Sequence, residues 1–338
     1  MNGKLKVSLK DLAERLGVSI ATVSRALNDS HEVSAEMRTR VKALAKELNY
    51  RPNPFARILR NDTPHVIGVV VPDLVSHYFS SLLNGIDDYA QEKGFMVVST
   101  NSQEDCENEK RLIENLLNMH VGGILACLAQ DSGEYQHFEN VCRLGIPLVF
   151  FTRTCLHDTC SSVVSDSSGA AQEATQHLIE NGCRRIAFLG GPSHLDLVKL
   201  RKHGYLEALK ENRIPIDRSL VLFERIDYDA MYKRYVELLK REDRPDAVLA
   251  FNDIATYAAF EAIRSCGLRI PEDVAIVGFT NSDTSIHVSP KLSVVLDHAY
   301  EQGRIACEML IKKMSGEDSV KQVVVPMELK VRESSVRK

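Results

Sequence analysis

The sequence predicts an α/β protein in three parts. A small all-α head opens the chain, a short hinge helix follows, and the rest is a two-lobed body built on two doubly wound parallel sheets. Three observations carry this reading. Capped amphipathic helical segments fill the first 49 residues. A stretch broken by Pro, Asn and Asp, "NYRPNPFARILRNDTP", then sets them apart. From Val66 onward, continuous apolar runs of strand length alternate with amphipathic helices, as in parallel sheets covered on both faces.

At 338 residues the chain is too long for one compact core. Its 44% hydrophobic and 26% charged residues are ordinary for a soluble globular protein. No apolar run approaches the roughly 18 residues that span a bilayer. The opening "MNGKLKVSLKDLAERL" has no continuous apolar stretch behind its basic residues, so no signal peptide and no membrane partner are expected, and the expected location is cytoplasmic. Cysteines at 106, 127, 142, 155, 160, 183, 266 and 307 form no CxxC pair, which suits reduced thiols. "CLHDTC" crowds metal-ligand types at Cys155, His157, Asp158 and Cys160, but no second cluster completes a tetrahedral site. Neither a metal nor a cofactor is expected. Charge is uneven. Residues 1–63 carry 12 Lys/Arg and 7 Asp/Glu, a net of +5, whereas the remainder carries 30 and 39, a net of −9. A basic head on an acidic body suits a polyanion partner for the head.

In the head, Ser8 and Asp11 form an S-x-x-D capping box that starts a helix running to about Leu16, and Gly17 ends it. Ser19 caps a second helix to about Asn28, and Ser34 caps a third whose Met37, Val41, Leu44 and Leu48 share one apolar face. Leu12, Ala13, Leu16, Val23 and Leu27 are the expected facing positions of the first two. Helix, short Gly-containing turn, helix is the helix-turn-helix pattern. In the hinge, Asn53 is placed to cap, Pro54 suits the first helical position, and Phe55–Leu59 complete a helix too short to stand alone in water.

In the body, strands are read at 66–71, 95–99, 122–128, 147–151, 162–165, 185–190, 247–251 and 274–279. Helices are read at 78–92, 107–119, 168–180, 200–210, 228–240 and 253–265. A strand at 292–297 crosses between the lobes, and a helix at 299–314 and a strand at 322–327 return to the first. The expected boundaries are head 1–49, hinge 50–63 and body 64–338. One subdomain covers about 64–164 and 296–324, the other about 165–295 and 325–338. Ligands of such folds bind between the lobes, at the carboxyl ends of the strands.

The opening "VSLKDLAERLGVSIATVSRALNDSHEVSAEMRTRVKALAKELNYRPNPFARIL" resembles the DNA-binding head and hinge of the LacI/GalR family of bacterial transcription regulators. "IGVVVPD", "SDSSGAAQEATQHLIENGCRRIAFLGGP", "RKHGY", "FNDIA" and "VAIVGF" match family landmarks in order along the body. The resemblance implies a homodimeric repressor of double-stranded operator DNA, with a body like periplasmic sugar-binding proteins and a small-molecule effector in its cleft. No apolar heptads follow "VVVPMELKVRESS", so a dimer is expected rather than a tetramer.

Carried onto this sequence, the resemblance implies DNA contacts by Ser8, Ser19, Ile20, Ala21, Thr22, Ser24, Arg25 and Asn28 in the head, and by Asn53, Ala56 and Leu59 in the hinge. Ile20 and Ala21 should approach base edges, Ile20 suiting a thymine methyl. Arg25 offers two donors to a guanine, while Ser19, Thr22, Ser24 and Asn28 suit phosphates. The Ile20–Ala21 pair resembles members that favour a central CG step. Leu59 matches the family residue that wedges into the minor groove, with Ala56 lying along it. The alternatives are a small core helix with a solvated arginine, and a Leu59 or Ile58 packed on the body.

For the effector, the resemblance points to Arg201, Tyr228, Asn252, Asp253 and Thr280, with Asp73, Tyr78 and Phe79 at the cleft mouth. Arg201 reads otherwise as a surface salt-bridge residue, Asp253 as a helix cap and Phe79 as core. Three positions depart from sugar-responsive members: Thr280 and Thr152 stand where Asp is common, and Leu296 replaces a polar contact beside Asp297. The expected effector is a sugar or a sugar-derived, anionic metabolite: retained Arg201 and lost carboxylates speak for a sugar phosphate, a sugar acid or a similar metabolite over a plain neutral hexose. Enzymes are excluded by the lack of GxGxxG after the first strand, of GxxxxGK[ST] and of GxSxG. A periplasmic binding protein would fit the body but not the head.

Overall fold

The computed structural model describes residues 7–27, 29–48, 50, 65–317 and 319–337. The chain divides into two compact units, Met1–Pro64 and His65–Lys338.

The first unit contains α1 (Leu9–Leu16), α2 (Ile20–Leu27) and α3 (Ala35–Glu47). The Ser8 backbone N–H donates to Asp11 Oδ2 at 2.7 Å and the Asp11 N–H to Ser8 Oγ at 3.3 Å, closing the capping box. Gly17 turns out of α1 at φ 65°, a left-handed conformation that a side chain would strain. Ser19 Oγ accepts from the Thr22 N–H at 3.1 Å, and Ser34 Oγ from the Met37 N–H at 3.3 Å. Leu12, Ala13, Val23, Ala26, Val33, Val41 and Ala45 form the core. Leu16, Leu27, Met37, Leu44 and Leu48 are only partly buried around it.

The second unit holds two six-stranded sheets. The first runs β11-β5-β4-β3-β1-β2. Its strands are β1 (Val66–Val71), β2 (Met96–Asn101), β3 (Gly123–Ala126), β4 (Leu148–Phe151), β5 (Ser161–Ser165) and β11 (Gln322–Val325), all parallel. The second runs β12-β10-β9-β8-β6-β7. Its strands are β6 (Ile186–Gly190), β7 (Val221–Phe223), β8 (Ala247–Ala250), β9 (Ala275–Phe279), β10 (Ser293–Leu296) and β12 (Glu328–Lys330). Both sheets are parallel as expected except at one edge, where β12 pairs antiparallel with β10.

Helices cover both sheets: α4 (His77–Glu92), α5 (Cys106–Asn118), α6 (Gln136–Arg143) and α12 (Ala299–Met314) on the first, and α7 (Ser167–Glu180), α8 (Asp196–Glu211), α9 (Tyr228–Leu239) and α10 (Asp253–Ser265) on the second. A single short turn, α11 (Thr284–His287), precedes β10. The chain crosses between lobes three times, from β5 to α7, from β10 to α12 and from β11 to β12. These crossings lie at strand ends and so bring residues of both lobes to one cleft.

Periodicity missed β7, a three-residue edge strand after an Asp217-capped turn, and the short helices α6 and α11. It also started α8 four residues late, because Leu195 makes no side-chain cap that would mark the start. Among the described residues, no helix is long and apolar enough to cross a membrane.

Candidate functional site

On the head, α2 presents Ile20, Ala21 and Arg25 outward, with Ile20 45% exposed. Arg25 Nε lies 3.0 Å from Glu32 Oε2, both side chains more than half exposed. Ser8 and Ser19 are exposed but engaged as caps, Ser19 Oγ also lying 2.9 Å from Thr22 Oγ1. Ser24 is the least exposed of these positions. At 7% exposure it turns inward beside Val23 and Ala26, because on a 3.6-residue period it follows the core stripe rather than the outer face. Asn28, Asn53, Ala56 and Leu59 lie outside the described residues.

In the body, all eight effector candidates line one cavity of about 980 Å³ between the lobes: Asp73, Tyr78, Phe79, Arg201, Tyr228, Asn252, Asp253 and Thr280. Their environments differ. Phe79 both lines the cavity and belongs to the first lobe's core. Tyr228 is 43% exposed at the start of α9 and stacks on Tyr232, ring centroids 6.3 Å apart. Asp73 accepts from the backbone N–H groups of Val75 and Ser76 at 2.8 and 3.1 Å, which fixes the loop at the mouth.

Arg201 is not on the surface; it is 3% exposed. One guanidinium nitrogen donates to the Phe251 carbonyl, another lies 3.5 Å from Asp297 Oδ2, and the plane sits 3.9 Å from the Phe279 ring centroid. Burial lowers its pKa to about 10, with Asp297 opposing that shift. Asp297 accepts from Ser165 Oγ at 2.6 Å and from the Gln302 amide, and burial holds its carboxyl above the usual carboxylate range. The Tyr78 hydroxyl donates to Gln302 Oε1 at 2.9 Å, so Thr152 must donate to it. Thr152 stands at φ 61°, an unusual conformation for a β-branched residue, inside a tight turn where the Arg153 N–H reaches the Phe151 carbonyl at 2.7 Å.

The cap of α10 is Asn252, not Asp253: Asn252 Oδ1 accepts from the Ala255 N–H at 2.9 Å. Asp253 is thereby released into the cavity, where Ser76 Oγ of the other lobe donates to its Oδ2 at 3.2 Å. Burial raises its carboxyl pKa, opposed in part by the nearby Thr280 and Ser76 hydroxyls.

Sequence reasoning missed other residues in and beside the cavity. Arg153 reaches Glu104 through two bonds of 2.7 and 2.9 Å. Gln130 ties the lobes: its Oε1 accepts from the Ile226 N–H and its carbonyl from His194 Nε2, each at 2.7 Å. Tyr257, one turn after Asp253, also lines the cavity. Only the helical i, i+4 spacing of Asp253 and Tyr257 was available to find it.

The three departed positions stand as read, but carboxylates at other positions also line the cavity. Asp73, Glu104, Asp253 and Asp297 line the cavity against Arg153 and Arg201, and both guanidinium groups face a carboxylate. The metal-ligand types of "CLHDTC" do not converge either, since no group of three potential ligands forms among the described residues.

A helix-turn-helix head joined to a two-lobed ligand-cleft body defines a DNA-binding transcription regulator. The chain belongs to the lacI family of bacterial regulatory proteins, whose model matches residues 8–53, while the model of a periplasmic binding protein-like domain matches residues 175–335. It is 31% identical to catabolite control protein A of Staphylococcus epidermidis over 97% of this chain and 99% of that protein. Among solved structures it is similar to the transcriptional regulator CelR–cellobiose complex, with TM-score 0.75, 31% identity and coverage of 97% and 99%. It is also similar to the lac repressor dimer bound to operator and the anti-inducer ONPF, with TM-score 0.86, 26% identity and coverage of 98% and 100%. The protein is a transcriptional repressor of this family and not an enzyme.

Proposed function

We propose that the protein binds a pseudo-palindromic operator as a homodimer, and that a neutral polyhydroxylated ligand in the inter-lobe cleft controls that binding. The working division is head 1–49, hinge 50–63 and ligand body 64–338. The observation that carries the ligand class is a set of three buried polar atoms without hydrogen-bond partners, Arg201 Nε, Asp253 Oδ1 and Tyr257 OH, all on residues lining the one cavity. Each such atom costs about 1–3 kcal/mol while unsatisfied. Hydroxyl groups donate and accept, so a sugar answers all three; a phosphate added to that sugar would bring negative charge into a cavity with four carboxylates, where Arg153 and Arg201 already face Glu104 and Asp297. Cellobiose in the CelR complex supports a carbohydrate, and the operator-bound lac repressor dimer supports the DNA mode.

Ligand and DNA are coupled through the angle between lobes, which Ser76–Asp253 and Gln130–Ile226 hold on the protein side. Such couplings are typically about 1–3 kcal/mol and reciprocal. Calorimetry of the full-length protein tests the ligand class: D-ribose, D-glucose and cellobiose are set against glucose 6-phosphate and ribose 5-phosphate. Heat with a neutral sugar and none with its phosphate is expected; binding restricted to the phosphates would reject the reading.

Two substitutions probe the DNA face. Leu59→Ala should weaken operator binding far more than random-DNA binding, since a wedge acts only on the bent site; equal losses in a gel shift count against it. Glu32→Gln releases Arg25 from an exposed ion pair and should tighten operator binding by about 0.5–1 kcal/mol in fluorescence anisotropy at fixed salt.

A further inference from the structure

The first lobe holds thiols that neither the DNA face nor the ligand cleft uses. Cys142 lies in the last turn of α6 and is exposed, while Cys160 directly precedes β5 and is 4% exposed. They are 18 positions apart in sequence, yet their sulfur atoms stand 3.2 Å apart. The turn that brings Cys160 there is fixed by hydrogen bonds from the Thr159 and Cys160 N–H groups to the Leu156 carbonyl, at 3.0 and 2.9 Å. Bonded sulfurs lie about 2.0 Å apart, so closure needs a movement of about 1 Å.

The two thiols are also unlike. The hydrogen bond from Cys142 holds the Cys160 thiol below its ordinary pKa, burial opposing, while the Cys142 thiol is pushed up. The Thr159 hydroxyl donates to Cys160 Sγ at 3.8 Å, a further aid to the thiolate. Cys155, buried in the same core, is raised by that burial and is the less reactive neighbour.

We propose that Cys142 and Cys160 form a dithiol that hydrogen peroxide closes to a disulfide, stapling the end of α6 to the start of β5. One sulfur attacks the peroxide O–O bond and becomes a sulfenic acid, releasing one water. The second sulfur displaces the sulfenic oxygen as another water, forming the S–S bond. Two thiols lose two hydrogens and one peroxide is reduced to two waters.

The test treats full-length protein with stoichiometric hydrogen peroxide and maps peptides without reduction, with fragmentation to assign each cysteine. A Cys142–Cys160 cross-link is expected, lighter by two hydrogens, reversed by dithiothreitol, lost in Cys142→Ser and in Cys160→Ser, and kept in Cys155→Ser. Since Cys142 is exposed, its serine variant should fold as the parent does, which circular dichroism checks. The proposal is overturned if Cys142 ends as sulfinic acid with Cys160 still free, or if Cys160 bridges to Cys155 instead. It is equally overturned if both thiols survive conditions that consume added N-acetylcysteine.

Discussion

Arg201→Met is expected to abolish the response to ligand and to destabilise the body by about 3–5 kcal/mol, the usual cost of breaking one side of a buried ion pair. The guanidinium lies between Asp297, the Phe251 carbonyl and the Phe279 ring, all of which the substitution leaves facing an apolar chain. Adding Asp297→Asn should recover much of the loss, because the amide needs no counter-charge and keeps hydrogen bonds with Ser165 and Gln302. Urea unfolding of the parent, both single variants and the double variant measures this coupling. If Arg201→Met unfolds like the parent, the pair carries no such energy. The same site sets a pH trend. The Asp297 carboxyl is raised above its unfolded value, so the stability it contributes is complete below that value, 3.8, and is lost as pH rises through the folded one. Asp297→Asn should flatten that part of the pH–stability curve.

Gly303→Ala is the second large effect, and it acts on packing alone. Helices α4 and α12 meet backbone to backbone: a Cβ on Gly303 would lie 2.1 Å from the Leu82 carbonyl oxygen, and one on Gly85 would lie 2.0 Å from that of Tyr300. Neither contact involves a flexible side-chain end that might move aside, so the helices must separate. A cost of about 3 kcal/mol is expected, at the upper end for overpacking. Gly133→Ala is the control, since nothing lies within 4 Å of a Cβ there, and it should stay within about 0.5 kcal/mol of the parent. Equal midpoints for the two variants would show that α4 and α12 are not so closely apposed.

Much of the architecture was legible because it is written in local terms. Ser8, Gly17, Ser19 and Ser34 specify the head through caps and one left-handed turn, which need only neighbours in sequence. Buried parallel strands read as unbroken apolar runs, so β1 could be located to the residue. What escaped depends on distant partners. The antiparallel edge strand β12 is three residues long and takes its identity from β10. The burial of Ser24 beside Val23 and Ala26 depends on helix phase and not on composition. In the cleft, the carboxylates common at other positions are absent, yet Asp253, Asp297 and Glu104 converge there from three separate segments. A count of missing hallmarks leaves out carboxylates supplied at other positions. Tyr257, Arg153 and Gln130 stand in no motif and become visible only when both lobes face each other.

The central claim is that DNA affinity answers to a neutral sugar in the cleft. Fluorescence anisotropy of full-length protein on a selected palindrome, with a scrambled duplex as competitor and with and without the sugar found by calorimetry, tests it most directly. The account predicts preferential binding to the palindrome, a change of about 5–150-fold on adding that sugar, and no change with Arg201→Met. Palindrome affinity that stays constant from zero to saturating sugar would contradict it.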